Sequence, residues 1–224
     1  MTINDKYKDL WELKENTYRH INPDMPIVIF MDGRNVTNNH KGFPMLGDHN
    51  YTQCLIECGT ELVREINTTA IIYAALDEIS FIFYDTKDII QYFGVDDNAN
   101  YICTLFMQRF TKKFWNYFGN FFKNTIYNIP NEDISRYLAY RKEICYSGGL
   151  WYIAKEFLSK EKYRGLALPE MERLLKKENL WDTFISTDYL YKGYAVSPMS
   201  QEVSRPSGSC RFPILKPCIW CFHS

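Results

Sequence analysis

The stretch of sequence that decides the fold is Pro26-Ile27-Val28-Ile29-Phe30-Met31-Asp32-Gly33-Arg34-Asn35. The apolar residues from Ile27 to Met31 follow one another without a break, which is typical of a strand covered on both faces of a sheet. The run then stops abruptly at a carboxylate and a glycine. We therefore predict a central buried strand that presents Asp32 at its end.

A second apolar run, residues 69–83, contains an acidic interruption of its own at Asp77-Glu78. Two strands that turn on this acidic pair would explain the pattern. The sequence thus predicts one carboxylate at the end of a strand and another at the tip of a neighbouring hairpin. Polymerase-type palm domains hold two magnesium ions with this arrangement.

The remaining pattern places helices, a further strand and a long loop around these strands. Residues 34–50 are rich in Asn, Gly, Pro and His, and a loop of this length usually has a function. The other predicted elements are helices over 51–67 and 101–122, a strand over 125–129, a helix N-capped by Asn131 and broken or kinked at Gly148-Gly149, helical segments over 150–158 and 159–182, and extended structure over 184–196.

This order of elements predicts an α+β fold. We expect a palm-like, ferredoxin-like antiparallel sheet with helices packed on one face, followed by a helical C-terminal extension. Residues 1–197 are predicted to form a single palm-type catalytic domain with helical additions. Residues 198–224, where Ser, Pro, Gly, Arg and Cys become frequent, are predicted to form an irregular tail.

Composition limits the classes of protein and partner. The formal net charge is -1, so the molecule as a whole does not attract nucleic acid, although a local basic face remains possible. No apolar run reaches the ~20 residues of a membrane span, and the N-terminus lacks a signal-peptide core. The chain has 7 Cys, which we expect to be reduced thiols. We expect a cytoplasmic protein without a membrane partner.

Magnesium prefers hard oxygen ligands, typically one or two carboxylates completed by phosphate and water. Asp32 and Asp77 are therefore the predicted ligands of two magnesium ions. Gly33 would let its carbonyl reach a metal and let the backbone pass close to a triphosphate. Glu78 is assigned a supporting or base role, because adjacent strand residues point to opposite faces. The alternative is a solvated Asp77-Glu78 turn with Asp32 as a helix cap.

Two further clusters are open to two interpretations each. The first could be a solvated helical face or could cover an RNA backbone; it consists of Lys160, Lys162, Arg164, Arg173, Lys176 and Lys177, together with Arg109, Lys112 and Lys113. The second could bind zinc or could carry free thiols in an irregular tail; it consists of Cys210, Cys218, Cys221 and His223.

The motifs of the chain resemble, in order and spacing, those of the tRNA(His) guanylyltransferase family. The family pattern reads DGRNF, SDEYSF, YLSWRQ and RKG. The corresponding segments here are Asp32-Gly33-Arg34-Asn35, Asp77-Glu78-Ile79-Ser80-Phe81, Tyr137-Leu138-Ala139-Tyr140-Arg141 and Tyr191-Lys192-Gly193. The resemblance covers about residues 24–197.

The resemblance implies a polymerase-related palm that adds nucleotides in the 3′–5′ direction to an RNA 5′ end, with tRNA as the expected RNA. A nucleoside triphosphate activates a 5′-monophosphate end, which the 3′-hydroxyl of an incoming nucleotide then attacks. ATP and GTP are the implied substrates, and a dimer or tetramer is the implied assembly.

The resemblance also implies roles for individual residues. Asp32, the Gly33 carbonyl and Asp77 would hold two magnesium ions, and Asp32, Asp77 and Glu78 would be catalytic. The implied nucleotide site consists of Asp32, Gly33, Arg34, Asn35, Val36, Thr37, Asp48, Leu76, Asp77 and Lys192.

The chain departs from the family pattern at several positions. The family usually has His at the place of Thr37, Ser at the place of Leu76, and a segment close to HINN at the place of Tyr146-Ser147-Gly148-Gly149. Two other classes therefore remain open. One is a palm-type nucleotide cyclase or signalling nucleotidyltransferase that acts on nucleotide alone. The other is a non-catalytic relative that binds nucleotide or RNA.

Overall fold

The computed structural model describes residues 3–15, 20–33, 49–118 and 122–198. Its centre is one antiparallel sheet in the order β4-β1-β3-β2-β5. The strands are β1 (Ile27–Gly33), β2 (Ala70–Ala75), β3 (Glu78–Phe83), β4 (Phe122–Asn128) and β5 (Tyr194–Val196). The first four strands have the spatial order 4-1-3-2 that the βαββαβ ferredoxin-like arrangement produces. The predicted α+β, palm-like fold is confirmed.

Helices occupy most of the rest of the described chain. They are α1 (Ile3–Lys6), α2 (Lys8–Glu15), α3 (His49–Ile66), α4 (Thr86–Phe93), α5 (Ala99–Phe118), α6 (Ile134–Phe157), α7 (Lys160–Tyr163), α8 (Leu168–Lys177), α9 (Trp181–Ser186) and α10 (Asp188–Tyr191). Within the described ranges, no helix is both long and apolar enough to cross a membrane.

Helices cover both faces of the sheet, so the prediction of helices on one face is wrong. Along β1, Ile27, Ile29 and Met31 pack into the core that includes α3 and α5. Val28 and Phe30 pack into a second core with α2 and α6. Because side chains alternate along a strand, the unbroken apolar run of β1 needs a helical layer on each side.

Helix α6 runs from Ile134 to Phe157 without interruption, so the prediction of a break at Gly148-Gly149 is wrong. Both glycines serve close packing. A Cβ at Gly148 would overlap the Leu76 side chain, and a Cβ at Gly149 would overlap the backbone carbonyl of Leu190. The glycines therefore let α6 approach its neighbours and do not end the helix.

Two other local predictions need correction. Residues 131–133 form a 3-10 turn before α6, so Asn131 is not the N-cap of that helix. The segment predicted to be extended over 184–196 contains α10 and the end of α9, and only Tyr194–Val196 forms a strand. Phe184 and Leu190 supply apolar side chains to a third core that α6 and α8 share. Burial in this core favours helix over the extended conformation.

Candidate active site

The ends of β1 and of the β2–β3 hairpin meet at one edge of the sheet. Asp32 lies opposite Glu78 in the β1–β3 pair. Just beyond this pair, the amide of Gly33 donates a hydrogen bond of 2.9 Å to the carbonyl oxygen of Asp77. Backbone contacts thus bring together the strand end and the hairpin tip that carry the two predicted metal ligands.

The hairpin turns on Leu76 and Asp77, whereas Glu78 is already the first residue of β3. The predicted turn is therefore displaced by one residue. Leu76 has a φ of 56°, in the left-handed region that a leucine adopts only at an energetic cost. Such backbone outliers concentrate at functional sites, and this one directly precedes Asp77.

Asp77 lies in an environment that opposes its negative charge. Burial, followed by repulsion from Glu78 and from Asp32, raises the pKa of Asp77 to about 7. A bound cation would relieve this repulsion and favour the ionised carboxylate. The electrostatics of the hairpin tip therefore fit a cation site.

The donor set at this edge also fits magnesium. Across the described parts of the chain, no group of three or more His, Cys, Asp or Glu side chains is arranged to hold a metal. Two carboxylates and a backbone carbonyl, completed by phosphate and water oxygens, form the kind of site that magnesium uses with phosphate substrates. Asp32, Asp77 and the Gly33 carbonyl supply these groups.

Glu78 is held by a buried arginine. The Arg141 guanidinium on α6 donates from Nη2 to Glu78 Oε2 in an ion pair. Arg141 is only 4% exposed, and its guanidinium carbon lies 4.5 Å from the centre of the Phe30 ring. The Glu78 carboxylate, which was predicted to be catalytic, is therefore already engaged by Arg141.

Lys192 lies at the same edge of the sheet. In the β2–β5 pair, Ala74 near the end of β2 is opposite Tyr194, the first residue of β5, and Lys192 precedes Tyr194 by two residues. The Tyr73 hydroxyl donates a hydrogen bond of 2.8 Å to the Lys192 carbonyl. Gly193 adopts a left-handed φ of 66° directly beneath Tyr73. This backbone contact fixes the start of β5 beside the hairpin tip.

Several predicted residues lie outside the described ranges. They are Arg34, Asn35, Val36, Thr37 and Asp48 of the nucleotide site, and Cys210, Cys218, Cys221 and His223 of the tail. The predictions made for them stay predictions.

Arg141 belongs to the Tyr137–Arg141 motif, but the sequence pattern predicted no role for it. The signal was present in the spacing, because Tyr140 and Arg141 follow Tyr137 at the helical intervals of three and four. All three side chains are buried on the sheet-facing side of α6. A lone arginine on a buried aromatic face indicates a carboxylate partner, since buried charges are paired.

Several basic side chains of the segment 160–177 and of α5 already have partners within the protein. Lys162 forms an ion pair of 3.0 Å with Glu178, and the Lys176 ammonium lies 4.4 Å from the Trp181 ring centre. On α5, Lys113 lies 3.5 Å from Glu61. The other basic side chains of these two regions are exposed and form no ion pair with a carboxylate in the described part of the chain. They are Arg109, Lys112, Lys160, Arg164, Arg173 and Lys177.

A family model described as tRNAHis guanylyltransferase (Thg1) matches residues 8–140 of this chain, more than half of its 224 residues. The chain is also similar to solved structures. For a bacterial tRNA(His) guanylyltransferase-like protein in complex with ATP, the identity is 19%, the coverage 88% of each chain and the TM-score 0.62. The same kind of bacterial protein in complex with GTP gives 17% identity, 86% and 84% coverage and a TM-score of 0.61.

The tRNA(His) guanylyltransferase of Saccharomyces cerevisiae gives 21% identity and a TM-score of 0.65, with coverage of 83% of this chain and 92% of that chain. At these identities the structural similarity establishes the fold. A comparison with curated proteins produced no significant match.

Proposed function

The chain belongs to the tRNA(His) guanylyltransferase family, a family of nucleotidyltransferases, and on that basis we propose that it adds nucleotides in the 3′–5′ direction to the 5′ end of a tRNA. The observation that supports this proposal most is the meeting of Asp32 and Asp77 across the Gly33–Asp77 hydrogen bond. It provides two acidic ligands at one sheet edge, next to a glycine that leaves room for a triphosphate.

The proposed metal is magnesium, with two ions held by Asp32, Asp77 and the Gly33 carbonyl. When bound, magnesium would activate the attacking oxygen and offset charge on the phosphoryl oxygens. The chain itself contributes positioning. The Gly33–Asp77 hydrogen bond fixes the distance between the two ligand-bearing segments, and Leu76 sets the direction from which Asp77 enters the site.

The proposed substrates are ATP and GTP. We place the triphosphate beside the segment that follows Gly33, whose backbone amides from Arg34 to Thr37 can cradle phosphate oxygens. Asp48 and Leu76 complete the proposed nucleotide site. Lys192, at the same sheet edge as Leu76, would bring a positive charge to the phosphates.

The proposed macromolecular partner is tRNA, bound by an assembly of two or four copies. Its phosphate backbone would contact exposed basic side chains such as Arg164, Arg173 and Lys177 on the C-terminal helices, and Arg109 and Lys112 on α5. Such contacts make affinity fall steeply as salt concentration rises.

The testing experiment measures incorporation of labelled nucleoside triphosphates with magnesium, with and without a 5′-truncated tRNA. We expect incorporation at the RNA 5′ end in the native protein and a loss of at least about 100-fold in Asp77→Ala. Asp182→Ala, which changes an exposed aspartate on α9, is the matched control and should keep full activity.

Other outcomes of this assay would contradict the proposal in distinct ways. A small-molecule product made without RNA would indicate a nucleotide cyclase or signalling enzyme. Bound nucleotide with no turnover in either arm would indicate a binding protein. Incorporation that survives in Asp77→Ala would remove the assigned metal site.

A further inference from the structure

We propose that Arg141 and Glu78 form a charge-neutral pair next to the metal ligands Asp32 and Asp77. In this pair Arg141 acts as a positioning residue, because it keeps the Glu78 carboxylate from binding the metals. This inference rests on the metal site of the proposed function. It reassigns Glu78 from catalysis to the support of Asp32 and Asp77. It also gives a role to a buried arginine that the family resemblance leaves without one.

The backbone register alone would bring Glu78 into the site. Asp32 and Glu78 are directly opposite each other in the β1–β3 pair, so their side chains project from the same face of the sheet. Like charges placed directly opposite destabilise a sheet. Without a partner, Glu78 would repel Asp32 or compete for the same cation.

Arg141 removes Glu78 from that competition. The guanidinium approaches from α6, which packs on this face, and takes the Glu78 carboxylate in an ion pair. It is the one ion pair that Arg141 makes within the described part of the chain. Because Arg141 is buried and a buried charge without its partner is strongly unfavourable, the guanidinium keeps the Glu78 carboxylate engaged.

The aromatic side chains around Arg141 hold it in place. Its guanidinium carbon lies 4.5 Å from the Phe30 ring centre and 5.8 Å from the Tyr140 ring centre. Phe30 precedes Asp32 by two residues and therefore faces the same side of β1. Arg141 thus contacts β1 through Phe30 and β3 through Glu78, and it ties together the two strands whose ends form the metal site.

The Ser80–Tyr137 contact reinforces this arrangement. The two hydroxyl groups lie 2.8 Å apart, one turn of α6 before Arg141 and two residues after Glu78. Both residues are buried. This second polar contact between β3 and α6 keeps the register that presents Arg141 to Glu78.

Charge gives the pair a signature that a purely structural role lacks. Removal of the positive charge of Arg141 leaves the site more negative, so it should bind cations more tightly. Removal of the negative charge of Glu78 should have the opposite effect. Removal of both charges restores the balance. A residue that only supported folding would not shift cation affinity in opposite directions.

The experiment measures Mn²⁺ binding to the full chain without nucleotide, by electron paramagnetic resonance, for Arg141→Met, Glu78→Gln and the double variant. We expect Arg141→Met to bind Mn²⁺ about fivefold more tightly and Glu78→Gln about fivefold more weakly. The double variant should lie within about twofold of the native protein. In nucleotide addition, kcat of Arg141→Met should fall about tenfold despite its tighter metal binding.

The matched control is Arg136→Met on the same helix. Arg136 is exposed and pairs with Asp9, with Nη2 and Oδ1 2.7 Å apart. Because solvent screens this surface pair, the control should leave Mn²⁺ affinity unchanged. Circular dichroism and thermal unfolding would verify that every variant is folded before binding is compared.

Glu78→Gln decides the proposal even if Arg141→Met fails to fold, since glutamine keeps an acceptor for Arg141. Loss of Mn²⁺ binding by more than about 100-fold would show that Glu78 is itself a ligand and would overturn the proposal. Unchanged affinity would overturn the electrostatic coupling. If the native protein binds Mn²⁺ but adds no nucleotide, the proposed function fails, while these comparisons still decide this inference.

Discussion

Gly148 on α6 lies directly against the Leu76 side chain at the tip of the β2–β3 hairpin. The residue that precedes Asp77 is therefore braced by a helix that also carries Arg141. This contact connects the C-terminal helices to the carboxylate edge of the sheet. It also explains why position 148 is a glycine inside a continuous helix.

Replacement of Gly148 by alanine should have a small effect on stability and a larger one on activity. The new Cβ would meet the tip of Leu76, which can rotate away, and alanine gains up to about 1 kcal/mol in helix propensity over glycine. We expect the free energy of unfolding in urea to change by less than about 1 kcal/mol. Nucleotide addition should fall, because the rotated Leu76 side chain belongs to the proposed nucleotide site next to Asp77.

The double variant Gly148→Ala/Leu76→Ala provides the control for this prediction. Alanine at position 76 removes the atom that the new Cβ would meet, so part of the lost activity should return. If the double variant is less active than both single variants, the contact between Gly148 and Leu76 is not the cause of the lost activity.

Replacement of Gly149 by alanine should be far more damaging to stability. The new Cβ would meet the backbone carbonyl of Leu190, which cannot rotate out of the way as a side chain can. We expect a loss of about 3 kcal/mol in the free energy of unfolding, measured in urea. Gly148→Ala, one residue earlier on the same helix, is the matched comparison. Equal losses for the two variants would contradict the difference between a side-chain contact at Gly148 and a backbone contact at Gly149.

The pKa of Asp77 predicts how stability depends on pH without metal. The folded-state pKa is raised from 3.8 to about 7, so between these values the folded protein keeps a proton that the unfolded chain has lost. Stability should therefore fall as pH rises from about 4 to 7 and should change little above that range through this group.

Thermal unfolding in the presence of a chelator would measure this effect. We expect the melting temperature to fall between pH 5 and pH 7, and Asp77→Asn to remove part of that slope. Added Mg²⁺ should raise the melting temperature most at pH 8, where the carboxylate is ionised. An identical slope in Asp77→Asn would exclude Asp77 as its source.

Replacement of Tyr73 by phenylalanine should loosen the start of β5. The change removes the hydrogen bond of 2.8 Å that Tyr73 donates to the Lys192 carbonyl. We expect a loss of about 1 kcal/mol in unfolding free energy and a higher KM for nucleoside triphosphate. Tyr101→Phe, at a tyrosine that is 63% exposed, serves as control and should change neither quantity.

Sequence patterns predicted the parts of the fold that depend on local burial. The unbroken apolar run of β1 and the acidic break at Asp77 both mark real element boundaries, because strand burial and turn chemistry act over a few residues. The break predicted at Gly148-Gly149 was wrong, since the reason for those glycines lies in contacts with Leu76 and Leu190. Such contacts join residues that are far apart in the chain.

The candidate site likewise combines features that the local sequence pattern predicts with contacts between residues far apart in the chain. Asp32 and Asp77 could be identified because each ends an apolar run. The engagement of Glu78 by Arg141 could not, because it depends on how α6 crosses the sheet. The second helical layer was missed for a related reason. The apolar run implied a cover on both faces, but the pattern did not show which helices supply it.

The position of β5 has a consequence for the order in which the protein is synthesised. The ribosome releases β1 to β4, with both carboxylates, well before the segment that contains Lys192 and β5. Until that segment emerges, β2 is an open sheet edge, which is prone to pair with other chains. Pairing of β5 with β2 therefore closes this open edge of the nascent sheet as one late event.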